Sequence, residues 1–412
     1  MKFNKPSQLF LVSRVFIIPV IGLVLASLLT ACQLVTIDYV FVTDSAGSSA
    51  GSAGQIQTYA VDSQSGALRQ GAPTVSSGGV GPVAVAVTGN FYHLYVANAT
   101  SKNVVHFSIA TNGVLTAKDT VTLATTPVAL AVNLASTYLY VVSGSTSATL
   151  TEYPISVSDG TIGTPTAQIP LTVPAYPTDT IVPTGVDVLA NNNAVYVAAY
   201  DSSAYNPGGT PTSPANPGWV FGFSVGSGGA LTATAASPYK AGVKPSGITS
   251  DPVNRFVYVT DFASNELIGY SVQTSDALNF LVNGPFKTGN EPTGIVVDPR
   301  GIYIYVSNSL DSSITGYSIA LPTGTPSAVV SSSNGSSVTS TDTQPVAITI
   351  DPALGRFVYT ANHLGNSVSG FRLDPNTGTV TTTQATPYPT GANPTALVLV
   401  PHGNHSVQSV TP

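Results

Sequence analysis

The chain has 412 residues, of which 43% are hydrophobic and only 8% are charged, and its formal net charge at pH 7 is −6. Three basic residues, Lys2, Lys5 and Arg14, lie near the N-terminus, and the rest of the chain holds ten basic and nineteen acidic residues. This acidic balance argues against a nucleic-acid partner, because phosphate binding needs a basic surface. The 38 glycines and 31 prolines are typical of many short strands joined by turns.

The N-terminus has the layout of a secretory signal. Basic residues precede an almost entirely apolar run, which ends in Leu29-Thr30-Ala31-Cys32. These four residues resemble the bacterial lipobox, whose cysteine is lipidated and becomes the first residue of the mature chain. We therefore expect a signal peptide over 1–31, with an uncleaved membrane anchor as the alternative.

Lipidation of Cys32 would attach the protein to a membrane of the bacterial cell envelope, through a tether over 32–38. Gln33 follows the cysteine, which favours the periplasmic side of the outer membrane or the cell surface. Cys32 is the only cysteine, so the mature chain would have no free thiol and no disulfide. Redox chemistry and cysteine catalysis are therefore not expected.

A proline-led apolar strand recurs along the rest of the chain, as in PTGIVV at 292–297. The seven copies begin at Pro82, Pro127, Pro183, Pro245, Pro292, Pro345 and Pro394. Their spacing of 45 to 62 residues is typical of a propeller or another repeat array.

A second strand with a tyrosine signature follows each of the first six copies, and a seventh such strand precedes them all. These strands lie at 39–44, 95–100, 140–145, 196–201, 258–263, 305–310 and 359–364. A third strand with alternating polarity and a weaker Ser/Thr/Ala-rich strand complete each unit. Seven units of four antiparallel strands predict an all-β, seven-bladed β-propeller.

The first and last units complement each other. The strand at 39–44 has no proline-led strand before it, and the strand at 394–400 has no tyrosine strand after it. We therefore expect 394–400 to be the innermost strand of the first blade, which closes the ring. The predicted propeller spans 39–400, followed by a flexible tail over 401–412.

These motifs resemble the lactonase-type propellers, the family of 6-phosphogluconolactonase and the carboxymuconate-cyclising enzymes. The resemblance rests on the Pro-x-Gly-Ile, Asp-Pro and Tyr-Val strands, the Gly-x-Leu turns and the linkers at 237–245, 284–292 and 386–394. It implies a lactone-hydrolysing propeller with a histidine, a glutamate and an arginine near the channel mouth. This sequence departs from that pattern, since no histidine directly follows a leading proline.

Strand order assigns the loops to two faces of the ring. If the first strand of each blade runs from the top to the bottom, the loops before the leading prolines lie on the top. The loops between second and third strands share that face, whereas the Asp-Pro turns lie on the bottom. Arg255, Arg300 and Arg356 follow these turns and are interpreted as turn-stabilising residues. No arginine is then expected on the top.

The predicted site lies on the top face, where four consecutive blades place a polar residue before the leading proline. Glu291, Lys244 and His363 are the candidate acid–base residues of a catalytic site. The candidate ligand-binding residues are Gln344, Asn393, Asn308, Asp311, Asp261, Asn98, Tyr200 and Trp219. The competing interpretation is ordinary solvated loop polarity.

No cofactor and no metal are expected. His402 and His405 lie three residues apart in the predicted tail, and His93 and His106 fall in strands, where packing or surface roles are the simpler interpretation. The sequence has no zinc-ligand spacing, phosphate-binding loop or calcium loop.

Two classes of function remain open. In the first, a lipid-anchored monomer binds a small molecule, such as a lactone or carbohydrate, or an envelope protein, without turnover. In the second, the top face hydrolyses a sugar lactone or a neutral lactone. The missing histidine and arginine favour the first class, and the resemblance over the whole mature chain favours the second.

Overall fold

The computed structural model describes residues 35–45, 51–144, 147–205, 217–330 and 335–411. The predicted signal peptide and Cys32 lie outside these residues. Within them the only helical segments are two 3-10 turns, Ser227–Gly229 and Gly403–Val407. Accordingly, the described part of the chain holds no helix long and apolar enough to cross a membrane.

The strands form seven antiparallel sheets, the blades of a propeller, numbered here in chain order. Blade 1 contains β1 (Thr36–Asp44), β2 (Gln55–Asp62), β3 (Leu68–Ser76) and the last strand of the chain, β32 (Pro394–Pro401). Blade 2 contains β4 (Pro82–Val87), β5 (His93–Asn98), β6 (Asn103–Ile109) and β7 (Leu115–Thr122). Blade 3 contains β8 (Pro127–Val132), β9 (Tyr138–Ser143), β10 (Thr149–Pro154) and β11 (Ala167–Pro170).

The other four blades have five strands each. Blade 4 contains β12 (Ile181–Val188), β13 (Ala194–Asp201), β14 (Gly218–Val225), β15 (Leu231–Ala233) and β16 (Tyr239–Lys240). Blade 5 contains β17 (Pro245–Ser250), β18 (Phe256–Asp261), β19 (Glu266–Val272), β20 (Leu278–Phe280) and β21 (Phe286–Lys287). Blade 6 contains β22 (Pro292–Val297), β23 (Tyr303–Asn308), β24 (Ser313–Ala320), β25 (Thr325–Ala328) and β26 (Val338–Ser340). Blade 7 contains β27 (Pro345–Ile350), β28 (Phe357–Asn362), β29 (Ser367–Leu373), β30 (Val380–Thr382) and β31 (Tyr388–Pro389).

The fourth position of blades 4 to 7 is split between two short strands, which the sequence did not predict. Both short strands of such a blade pair with its third strand, as β20 and β21 do with β19. In blades 4, 5 and 7 the second short strand lies in the linkers at 237–245, 284–292 and 386–394. These linkers therefore cover part of the third strand's outer edge, which would otherwise be open to pairing.

The innermost strands form a closed ring. β4, β8, β12, β17, β22, β27 and β32 contact one another in that order, and β32 contacts β4. β32 also pairs antiparallel with β1, with Val40 opposite Leu399. The predicted closure of the first blade by the C-terminal strand is therefore confirmed.

Most of the signature tyrosines join neighbouring blades. Tyr95, Tyr258, Tyr305 and Tyr359 are almost completely buried on the second strands. Each hydroxyl donates at 2.7 Å to a backbone carbonyl of the next blade, at Gly160, Gly324, Gly378 and Gly66 respectively. The bond satisfies a buried polar group and fixes one blade against the next.

Two predicted boundaries differ from the structure. β1 begins at Thr36, so the compact domain includes three residues assigned to the tether. The segment predicted as a flexible tail contains the 3-10 turn Gly403–Val407, in which His405 is buried. His405 contacts two buried carboxylates of the propeller, Asp38 and Asp351, and these contacts attach the segment to the blades. The local sequence does not predict them, because the partners are distant in the chain.

Candidate functional site

The residues before three of the leading prolines share one backbone geometry. Glu291, Gln344 and Asn393 have left-handed φ values of 53°, 59° and 53°, which are uncommon for residues with a Cβ. A side chain of the preceding top loop accepts a hydrogen bond from each backbone N–H. The three acceptors are Asn265 Oδ1 for Glu291 (2.8 Å), Ser312 Oγ for Gln344 (3.3 Å) and Asn366 Oδ1 for Asn393 (2.8 Å). This arrangement fixes the backbone at the channel mouth and leaves the three side chains partly exposed.

Lys244 lies in an aromatic pocket at this mouth. Its Nζ lies 4.5 Å from the ring centre of Phe262, 5.0 Å from that of Tyr205 and 5.6 Å from that of Tyr200. Burial lowers the pKa of Lys244, while the charge of Glu291 acts to raise it. The rings and the carboxylate both favour the ammonium form.

Glu291 completes this group. Its Oε2 accepts a hydrogen bond of 3.3 Å from Ser309 Oγ. The pKa of Tyr205 is raised by burial first and then by the charges of Asp261 and Glu291. Blades 4, 5 and 6 thus contribute to one electrostatic group, called here the Lys244 cluster: Lys244, Glu291, Tyr200, Tyr205 and Phe262.

Trp219 lies outside the Lys244 cluster and contacts a different lysine, Lys240. It is 95% buried on β14, opposite Lys240 of β16, whose Nζ lies 3.8 Å above the indole ring. Tyr200 instead packs edge-to-face on Tyr205, with 5.5 Å between the ring centres. The structure therefore separates the two predicted aromatic ligands, and only Tyr200 lies in the Lys244 cluster. Most of the loop between them, residues 206–216, lies outside the described residues.

Asn98, Asp261 and Asn308 end the second strands of their blades and are fully buried. Asp261 accepts hydrogen bonds from the backbone N–H groups of Val243 (2.7 Å) and Lys244 (2.9 Å). Asn98 Nδ2 donates to the carbonyl oxygen of Ser77, and Asn308 Oδ1 accepts a bond from the backbone N–H of Gly289, both at 3.1 Å. These three predicted ligand-binding residues therefore shape the top loops and expose no atom to a ligand.

His363 and Asp311 form hydrogen bonds with residues outside the Lys244 cluster. His363 Nδ1 lies 3.1 Å from the carbonyl oxygen of Pro394, and Asn393 Nδ2 donates to the carbonyl of His363 at 3.2 Å. Asp311 accepts bonds from the backbone and side-chain nitrogens of Asn290 at 2.7 and 2.8 Å. Among the described residues, no hydrogen bond joins His363 to Lys244 or Glu291. The structure thus associates two of the three predicted acid–base residues.

Two of the three arginines behind the Asp-Pro turns pair with the aspartate of their own turn, as predicted, and the third, Arg356, bonds to another blade. The Nε atoms of Arg255 and Arg300 lie 2.6 Å from carboxylate oxygens of Asp251 and Asp298, both of which are fully buried. Arg356 donates to the carbonyl oxygen of Ser63 at 2.8 Å and so connects blade 7 to blade 1.

Two histidines in blade 2 form a buried chain with a carboxylate. His93 Nδ1 lies 3.0 Å from His106 Nε2, and His106 Nδ1 lies 2.5 Å from Asp119 Oδ1. Asp119 Oδ2 accepts a bond from the backbone N–H of Ile162 at 3.0 Å. This series of hydrogen bonds agrees with the packing role expected of the two histidines. Through Asp119 it also joins blade 2 to blade 3.

The buried group of Asp38, Asp351 and His405 at the bottom of the ring has the spacing of a metal site. His405 Nε2 lies 3.0 Å from Asp351 Oδ1 and 3.5 Å from Asp38 Oδ1, and the charge of Arg356 also acts on Asp38. Burial lowers the pKa of His405, but its hydrogen bonds and the two carboxylates raise it overall to about 9. Burial first and then the charge of Asp351 raise the pKa of Asp38 to about 8, so Asp38 holds a proton at neutral pH. We interpret the group as an ion network in which the His405 imidazolium pairs with the Asp351 carboxylate.

Comparisons with known proteins agree with this architecture. A structure proposed as a 6-phosphogluconolactonase from Bacteroides fragilis is 18% identical, with a TM-score of 0.70, over 90% of this chain and 99% of its own. A periplasmic gluconolactonase from Pseudomonas aeruginosa is 18% identical, with a TM-score of 0.69, over 89% of this chain and 99% of its own. At such identities the likeness shows the fold alone.

A search of curated proteins finds no match. The sequence model described as lactonase, 7-bladed beta-propeller matches residues 99–408, which is well over half of the chain. The protein therefore belongs to the lactonase family of seven-bladed β-propellers.

Proposed function

We propose that the protein is a lipid-anchored envelope protein whose Lys244 cluster binds a small polar molecule, with the chemistry of a lactone or carbohydrate, without turnover. The observation that carries the proposal is the half-buried Lys244 ammonium among three aromatic rings, beside the Glu291 carboxylate. Aromatic rings pack on the apolar face of a sugar-like ring, and a lysine and a glutamate offer hydrogen bonds to its oxygens.

Two features of the top face favour binding over hydrolysis. His363 is engaged with the carbonyl of Pro394, away from the hydrogen bonds of Glu291. The five arginines that follow residue 32 all lie in bottom turns or at the bottom ends of strands: Arg69, Arg255, Arg300, Arg356 and Arg372. The top face therefore offers no guanidinium for a phosphate or carboxylate, and we favour an uncharged ligand.

A second candidate is hydrolysis of a neutral lactone, which family membership and the partly exposed Glu291 favour. Glu291 would act as the general base that activates water, and the Lys244 ammonium would stabilise the negative charge that develops on the carbonyl oxygen. The ester bond of the lactone would break, giving a hydroxy acid.

One experiment separates the two candidates. The purified protein is tested against sugar lactones and neutral lactones, with binding followed by calorimetry and ring opening by acid release. Glu291→Gln and Lys244→Gln are compared with Glu266→Gln, a control on the same face outside the Lys244 cluster. Binding that only the first two variants lose, without acid release above background, supports the proposal.

Other outcomes of that experiment are equally decisive. Acid release that Glu291→Gln abolishes would replace the proposal by the hydrolase. A ligand whose affinity is the same in all three variants would show that the Lys244 cluster is not the binding site.

The membrane attachment rests on the sequence Leu29-Thr30-Ala31-Cys32. Inhibition of lipoprotein signal peptidase with globomycin, or the substitution Cys32→Ser, is expected to leave unprocessed or soluble protein. Unchanged processing and membrane partitioning under both treatments would contradict lipidation at Cys32.

A further inference from the structure

The bottom face carries several exposed apolar side chains. Tyr92 and Leu134 lie in the turns that follow the inner strands of blades 2 and 3 and are 62% and 60% exposed. The turns of the same face carry further exposed residues: Val157, Val253, Leu321 and Val407. Apolar residues are thus distributed around this face rather than confined to one blade.

The centre of the same face is mostly apolar, with Thr88, Ser250 and Asp251 as its polar lining residues. An open depression of about 310 Å³ lies at the bottom mouth of the channel. Its lining comes from several blades and includes Phe91, Leu134, Val188, Val297 and Pro352. The exposed turns therefore surround a mostly apolar centre.

The chain enters the propeller at this face. Asp38 near the start of β1 pairs with Pro401 at the bottom end of β32, so Thr36 lies at the bottom of blade 1. Three residues separate Thr36 from Cys32, and four residue steps span at most about 14 Å. A lipid on Cys32 would thus hold the bottom edge of blade 1 close to the bilayer.

We propose that the bottom face lies on the lipid surface, so that the Lys244 cluster on the opposite face is directed away from the membrane. This inference rests on the lipidation of Cys32 proposed above. A short tether allows only one face of the propeller to contact the bilayer. The face at which the tether attaches is the one with the exposed apolar turn residues and the central depression. Tyrosine and aliphatic side chains at such a surface enter the interfacial region of a bilayer.

The bilayer would also explain the position of the ligand site. The channel mouth that holds Lys244 and Glu291 opens at the end of the ring farthest from Thr36. A soluble ligand of the envelope would reach that mouth without passing along the lipid surface.

The test uses the full lipidated chain in vesicles with spin-labelled lipids. Because Cys32 is the only native cysteine and carries the lipid, one added cysteine gives one site for a fluorophore. Probes at Tyr92→Cys and Leu134→Cys report on the bottom, and probes at Leu310→Cys and Leu364→Cys are matched controls, since both leucines are exposed in top loops.

We expect the lipids to quench the two bottom probes and to leave the two top probes unquenched. Quenching of the top probes, equal quenching at both faces or no quenching at any site would overturn the orientation. Mass spectrometry of Cys32 keeps this result separate from the proposed function. Unmodified Cys32 would reject the anchor, whereas lipidated protein with unquenched bottom probes would reject only the orientation.

A second measurement tests the apolar contact itself. In lipidated protein labelled at Val253→Cys, the pair Tyr92→Asp and Leu134→Asp is expected to cause a loss of quenching. The matched pair Leu310→Asp and Leu364→Asp is expected to leave it unchanged. Equal effects of the two pairs would contradict a role of the bottom apolar residues.

Discussion

The two faces of the ring use their charged residues differently. On the bottom, Asp251 and Asp298 are fully buried and paired with arginines of the same turns. On the top, Asp261 is equally buried, but Glu291 and Lys244 are partly exposed, and Lys244 lies beside aromatic rings. The same repeated unit thus places buried, paired charges on the bottom face and partly exposed charges on the top face.

The difference follows from the loops. The Asp-Pro turns of blades 5 and 6 have the same length and the same carboxylate-to-backbone bonds: Asp298 Oδ1 accepts bonds from the backbone N–H groups of Ile302 (2.9 Å) and Tyr303 (2.8 Å), and Asp251 Oδ1 accepts the corresponding bonds in blade 5. The top loops differ in length and sequence, so their residues can be exchanged without loss of the blade. Substitutions are therefore expected to affect stability on the bottom and ligand binding on the top.

The largest effect is expected from removal of the closing strand. Deletion of residues 394–412 removes β32, which pairs with β1 and contacts β4 and β27. We expect loss of the cooperative unfolding transition, measured by circular dichroism during heating. Deletion of only 409–412, which keeps Gln408 and the turn around His405, is the control. A long truncation with an unchanged melting curve would contradict ring closure by this strand.

Removal of a buried turn carboxylate is expected to have the next largest effect. Asp298→Ala leaves the buried backbone N–H of Tyr303, the partly buried N–H of Ile302 and the Arg300 side chain without their acceptor, which we expect to cost about 3 kcal/mol. Urea unfolding measures the change in the free energy of unfolding. A decrease of less than about 1 kcal/mol in the free energy of unfolding would show that the turn charges contribute little to stability.

The ion network at His405 predicts a pH dependence. The pKa of His405 is about 9 in the folded protein and 6.5 ordinarily, so its contribution is complete below pH 6.5 and is lost as the pH rises through 9. Asp38 acts in the same direction over a lower range: burial first and then Asp351 raise its pKa from 3.8 to about 8, so its contribution is complete below pH 3.8 and is lost as the pH rises through 8. The melting temperature is therefore expected to fall between pH 6.5 and 9, less steeply in His405→Gln. Equal slopes for both proteins would contradict the assignment.

A smaller effect is expected from the hydroxyls that join the blades. Tyr305→Phe removes the bond to the carbonyl of Gly378 in the next blade and keeps the buried ring, at a cost of about 1 kcal/mol. Tyr92→Phe, on an exposed tyrosine, is the control for urea unfolding. Equal free energies of unfolding in the two variants would show that the hydroxyl bond does not hold the blades together.

The smallest effect on stability is expected at the top. Glu291→Gln removes a partly exposed charge whose carboxylate has a single hydrogen bond, from Ser309, among the bonds of the described residues. We expect a free energy of unfolding within about 0.5 kcal/mol of the original protein. A large loss, comparable with that of Asp298→Ala, would make Glu291 a structural residue and weaken its assignment to a ligand site.

The sequence predicted the architecture because the same local pattern occurs seven times. Strand alternation, turn residues and the complementary first and last units all agree on one closed ring, and β32 beside β1 confirms it. The sequence also predicted that the polar residues before four consecutive leading prolines share one face, since strand order alone assigns those positions: Lys244, Glu291, Gln344 and Asn393. The lipidation of Cys32 stays a prediction.

The sequence could not distinguish exposed from buried polar residues in the top loops. Asn98, Asp261 and Asn308 have the residue types of a binding site, yet folding buries them against loop backbone that lies up to 21 positions away. The aromatic rings around Lys244 come from two blades, and the carboxylates around His405 come from blades 1 and 7, which lie far apart in the sequence.

The sequence alone thus determined the blades, their number and the face that carries variable polar residues. Strand periodicity and turn formation depend on residues that are neighbours in the sequence, so local patterns predict them. Tertiary structure decided which of those polar residues remain available to a ligand, because burial and pairing depend on groups that approach only when the ring closes. On the top, Lys244 and Glu291 are the interacting charges that stay partly exposed. On the bottom, the exposed side chains of Tyr92 and Leu134 are apolar.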